Sequence, residues 1–169
     1  SVVVTGVATV TVSGELGLAR VTASGETTAR YTALKMGNVT VSASTASAGD
    51  FGLSGTLTID SLNINNAAVG HARLDWAKAF DLDGNGTKDI LDPGAALPTP
   101  ATLAIDYAGS LQLAVAGSVT GTPLITAGPV TVGGTAEFAL TRRTIDVDSD
   151  GNGTADLLGA TLDGIALGV

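Results

Sequence analysis

The stretch Phe51–Asp60, FGLSGTLTID, decides the fold class. Phe51, Leu53, Leu57 and Ile59 form one apolar set, and Ser54, Thr56, Thr58 and Asp60 alternate with it. Side chains along an extended strand point to opposite faces in turn, so a period of two predicts a strand with one buried and one wetter face. The alternation recurs in Val2–Val12, VVVTGVATVTV, where Val2, Val4, Ala8, Val10 and Val12 share a side. It returns in NVTVSAS through Val39, Val41 and Ala43, and in LQLAVAGSV through Leu111, Leu113, Val115 and Val119. Val and Thr suit a pleated surface, and turn residues separate about ten or more such segments. The best helical candidate, AVGHARLDWAKAF, has no convincing helical period. The expected architecture is all-β: an antiparallel β-sandwich-like fold, with a β-solenoid or super-roll as the alternative.

Composition narrows the function. The chain has 169 residues, 44% of them hydrophobic, which excludes disorder by composition. Glycine occurs 23 times, a density that disfavours long helices. Sixteen acidic against 8 basic residues give a net charge of −8, and Arg142-Arg143 is the only basic cluster, so nucleic acid is not an expected partner. There is no cysteine for a disulfide framework, and no apolar run reaches the roughly 18 residues of a membrane span. A chain starting at Ser1, without Met or leader, is expected to be a processed form or a segment of a longer protein.

Against this sparsely charged background, negative charge crowds into two runs: AFDLDGNGTKDILDPG from Ala79 and IDVDSDGNGTADLLG from Ile145. A hard cation such as Ca²⁺ takes six to eight oxygens, which a short loop supplies when alternate side chains turn inward and glycine permits a sharp bend. Asp81, Asp83 and Asn85 stand at positions 1, 3 and 5, Gly86 at 6, the carbonyl of Thr87 at 7, Asp89 at 9 and Asp92 at 12. The second run offers Asp148, Asp150, Asn152, Gly153, Thr154 and Asp156 in the same register, but Gly159 at position 12. Asp146 either replaces the missing ligand or starts an alternative frame turning at Gly151. Asp-Gly and Asn-Gly also make ordinary hairpin turns. A plain turn, however, needs no aspartates on alternate positions, which repel one another without a cation. Two Ca²⁺ sites are expected.

These runs resemble the DxDGxGxxD calcium loops of dockerin, thrombospondin type 3 and integrin-like FG-GAP (VCBS) repeats. Strand-like flanks bring them closer to the FG-GAP arrangement than to the helical surroundings in dockerins. The Thr/Val/Gly-rich strands around them look like modules of large bacterial or archaeal surface and matrix proteins. That resemblance implies a stalk, matrix or filament role.

The runs recur with a period of 67 residues, from Asp81 to Asp148. DPGAALPTPAT, with three of the five prolines, reads as an extended connector. The chain is therefore expected to be a single all-β unit over 1–169, or two similar lobes over 1–97 and 98–169. No catalytic site is expected: His71 is the only histidine, no GxSxG elbow is present, and nothing pairs Glu15, Glu26 or Glu137 with an aspartate. Trp76 and Phe80 are expected to anchor the first loop, with a ligand platform as the sharper alternative. The uncharged strand Val2–Val12 is a candidate for insertion into a neighbouring subunit. The expectation is a calcium-stabilised extracellular or cell-surface structural protein, forming a homo-oligomer or tandem repeats. A calcium-braced carbohydrate-binding module of a larger secreted protein is the alternative, disfavoured by an aromatic content of only 4%.

Overall fold

A computed structural model describes residues 2–4, 8–45, 51–127 and 129–168. The fold is all-β and antiparallel, as the alternation predicts. Its strands are β1 (Val2–Val4), β2 (Ala8–Val21), β3 (Tyr31–Thr45), β4 (Phe51–Ala67), β5 (Leu111–Ala127), β6 (Val130–Val147) and β7 (Leu157–Gly168). Each pairs with its neighbour in sequence, giving one 7-stranded sheet in the order β1 to β7. Strands from both halves of the chain share this sheet, because β4 and β5 pair directly across the connection that contains the first acidic run.

Among the described residues the strands are fewer and longer than the spacing of turn residues implies. β4 and β5 each run for 17 residues and β6 for 18, against a usual length of about 5–6. Glycines that read as turns are instead taken up inside strands as irregularities. Gly14 is one, at φ 136°, where the β2–β3 register shifts between Ser13 and Glu15. A bulge absorbs an extra residue without ending the ladder. Val2–Val12 is not one strand: Val2 pairs with Val10 and Val4 with Ala8, so β1 folds back on β2. Thr5–Val7 between them lie outside the described residues.

The second layer is irregular chain. Residues 68–110 leave β4, cross one face of the sheet and return as β5. AVGHARLDWAKAF forms turns there rather than a helix. The proline-rich connector opens with a single 3₁₀ turn, Pro93–Ala96, capped by Asp92. Trp76, Ile105 and Tyr107 of this segment form the buried core with Ala19, Ala33 and Leu111 of the sheet. Small residues on the sheet allow the close approach; a Cβ at Gly17 would lie 3.3 Å from Leu103 Cβ. Asn65, also fully buried, ties the layers together. It accepts the Trp76 Nε1–H at 2.9 Å and donates to the carbonyls of Leu74 and Ala108 at 3.0 and 3.3 Å. The Tyr107 hydroxyl reaches the Leu34 carbonyl at 3.0 Å and Asn63 Oδ1 at 3.2 Å. Burial raises its pKa above the ordinary phenol value.

The larger apolar side chains lie on the other face. Registers align Leu16, Met36, Leu62, Val115, Leu140 and Ile165 in one row from β2 to β7. The next row on the same face runs Leu18, Leu34, Ile64, Leu113 and then the ion pair Arg142–Asp163. No member of either row is buried. The alternation thus marks strand segments, but of the apolar residues it picks out Leu111 and Val39 are buried while Leu113 and Val115 lie in these uncovered rows. Leucine side chains would hold the irregular segment off the sheet, whereas Gly17, Ala19 and Ala33 admit it.

Candidate metal centre

The acidic runs fold into two copies of one loop. In each, a backbone hydrogen bond closes the ends: Asp89 N–H donates to the Phe80 carbonyl at 2.9 Å, and Asp156 N–H to that of Val147 at 2.8 Å. In the first copy an isolated antiparallel bridge between Phe80 and Asp89 frames the loop within residues 68–110. In the second, the loop joins β6 to β7.

Much of the loop interior repeats, the main difference being that Asp148 Oδ1 also accepts the N–H groups of Gly151 and Asn152 at 2.7 and 3.2 Å, bonds that Asp81 Oδ1 lacks. Gly86 N–H donates to Asp81 Oδ2 at 2.9 Å, and Gly153 N–H to Asp148 Oδ2 at 2.6 Å. Asn85 and Asn152 each donate Nδ2–H to the aspartate two residues earlier, Asp83 or Asp150, at 2.8 Å. Each asparagine Oδ1 then accepts a backbone N–H, from Thr87 at 2.7 Å or Thr154 at 2.8 Å. Leu82 N–H reaches Asp89 Oδ2 at 2.6 Å, and Ser149 N–H reaches Asp156 Oδ2 at 2.9 Å. Backbone angles match as well. Gly84 and Gly151 have φ of 74° and 75°, and Gly86 and Gly153 have φ of 86° and 87°. A side chain at these angles is strained, so the DGNG pattern is required by the turn itself.

The result is two clusters of carboxylates at the surface. Asp81, Asp83 and Asp89 bring one oxygen each to within 4.8 Å of one another, and Asp148, Asp150 and Asp156 do the same. The second cluster contains the residues of the frame that begins at Asp148 and leaves out Asp146. Both clusters can hold a metal ion. Asp81 Oδ1 is buried without a hydrogen-bond partner, an acceptor that a cation would satisfy. In the second cluster, the Gly153 N–H holds the Asp148 pKa below its ordinary value, aided by Gly151 and Asn152. The Ser149 hydroxyl and N–H do the same for Asp156. Both carboxylates thus favour the charged form that binds cations.

Two predicted ligands lie elsewhere. Asp92 Oδ1 accepts the N–H groups of Gly94 and Leu103 at 3.0 and 2.9 Å, capping the 3₁₀ turn rather than joining Asp81. Asp146 Oδ1 accepts the Gly159 N–H at 2.7 Å, pinning the start of β7. Asn85, Thr87, Asn152 and Thr154 stay in their loops, shaping them through the bonds above. The shared unit is thus nine residues, Asp81–Asp89 and Asp148–Asp156. Ser149, which sequence reasoning passed over, donates its hydroxyl to Asp156 at 2.8 Å. Its place at the serine of DSDG was the available signal.

Other candidates resolve into packing. Trp76 is 0% exposed and its ring lies 5.6 Å from that of Phe80, so the pair anchors the first loop to the core. His71 is exposed and stands edge-on to Tyr31 at 6.3 Å. No helix among the described residues is long and apolar enough to cross a membrane. Neither a family model, nor a curated protein, nor a solved structure matches the chain.

Proposed function

We propose that the protein is a calcium-stabilised extracellular structural protein, serving as a filament subunit, a stalk or a matrix module. The observation that carries this reading is the same three-carboxylate cluster, built twice on a largely shared set of hydrogen bonds. In the first loop, Asp81, Asp83 and Asp89 would hold the ion; in the second, Asp148, Asp150 and Asp156 would do so. Bound calcium supplies positive charge that relieves the repulsion among carboxylates and ties the two ends of each loop together. Loops of exposed oxygen ligands belong to the weaker class of site, with Kd of about 10⁻⁴–10⁻³ M in extracellular modules. Calcium outside cells fills such sites, and cytosolic calcium does not. The carbohydrate-binding alternative loses support from the burial of Trp76, since sugar platforms need an exposed aromatic face.

Thermal melting in calcium and in chelator tests the reading. An ion that binds only the folded state adds about 2.7 kcal/mol per site at a hundred times Kd. Two filled sites are expected to raise Tm by about 10 °C or more in a chain of this size. Equal midpoints in calcium and chelator would reduce the loops to ordinary turns. Negative-stain microscopy separates the two roles: rods or filaments support the structural one, and compact particles that bind glycans defeat it.

A further inference from the structure

We infer that the open face of the sheet is a self-association surface, on which a second copy of this chain packs face to face to complete a two-sheet sandwich. The first row across β2–β7 is apolar at all six positions, and the second is apolar at four before the Arg142–Asp163 pair. Leu16, Leu18 and Ile165 are 57%, 53% and 70% exposed. The described strands form one sheet and the irregular segment packs on its other face, so no second sheet of the described chain covers this one. Soluble proteins rarely leave contiguous apolar patches larger than a few hundred Å² in water.

Area points to a second copy as the occupant. At about 4.8 Å between strands and 3.3 Å per residue, a face six strands wide and as long as the 12-residue β7 spans about 1,000 Å². A stable protein pair needs about 800 Å² from each partner. One copy's face meets that need, and a two-fold arrangement matches leucine rows to leucine rows. Sheets packed this way lie about 10 Å apart, with inner side chains interdigitated. Charge does not oppose the contact. Asp81–Asp89 belongs to the segment on the opposite face; on this face Arg142 and Asp163 neutralise each other through two hydrogen bonds of 2.6 and 2.9 Å, and Arg20, exposed two residues beyond Leu18, stands at the rim of the rows. Association through this face does not require calcium.

Sedimentation equilibrium of the full chain, run in calcium and again in chelator, tests it. Twice the chain mass is expected at micromolar concentration. The double variant Leu16→Lys/Ile165→Lys should fall to the chain mass with an unchanged circular dichroism spectrum, because both side chains are already solvent-facing in the single chain. Leu158→Lys, exposed but outside the rows, should leave the dimer intact. The chain has no cysteine, so Met36→Cys gives a second measurement within the first row. Its thiol should react with maleimide at least tenfold faster after dilution below the dissociation constant. Chain mass at every concentration would overturn the inference, including a monomer that takes up lipid vesicles or another protein on this face. A dimer that survives Leu16→Lys/Ile165→Lys would also overturn it, by placing the contact elsewhere, as along the β7 edge.

Discussion

Asp81 and Asp148 occupy equivalent places in the two loops, each accepting the N–H of the glycine five residues on. Asp81→Asn keeps an acceptor for that bond but removes the charge, so the loop should survive while its affinity for calcium falls. A drop of at least tenfold at one site is expected by calorimetry, with the other site unchanged. Loss of both sites together would mean that the loops are not independent. At this scale the sequence was highly legible. Positions 1 to 9 of each loop are set by contacts within the loop, and local patterns specify local contacts. Asp92, expected at position 12, stands outside the three-carboxylate cluster because its contacts are set by the residues after it. Pro93 starts a 3₁₀ turn, and Asp92 accepts the Gly94 N–H at its head.

At the scale of elements, the structure depends on how residues 68–110 dock on the sheet. Trp76 is the key contact, since its indole N–H satisfies the buried Oδ1 of Asn65. Trp76→Phe keeps much of the ring but strands that acceptor, at about 1–3 kcal/mol, and leaves a small void besides. A fall in Tm of about 5–10 °C is expected in thermal unfolding; no change would mean that Asn65 finds another donor. The β6–β7 pairing adds a pH-dependent part. Arg142 holds the Asp163 carboxyl below its ordinary pKa through hydrogen bonding and charge. Its contribution is therefore present above the ordinary carboxylate range, near pH 4. It is lost as pH falls through the depressed value. The urea midpoints of wild type and Asp163→Asn should differ slightly at neutral pH and converge in acid. A gap that widened in acid would contradict the pairing. The strands themselves were legible from their period, but their ends were not. Glycine signals a bulge and a turn alike, and only the partner strand decides which forms. The choice of covered face was not legible either, because the bulk of Trp76, Ile105 and Tyr107 selects the side lined by Gly17, Ala19 and Ala33.

For the whole molecule, one thin sheet with a partial second layer gives limited burial for a chain of this length, and its charge is concentrated at two points. On the proposed reading, both features would make stability depend on what binds: cations at the loops and a second copy at the open face. Counting the bound ions is the most direct test of calcium in both loops. Isothermal titration calorimetry with calcium should give two ions per chain, falling to one in Asp83→Asn and to none in Asp83→Asn/Asp150→Asn. A flat titration of the folded wild type at millimolar calcium would contradict it.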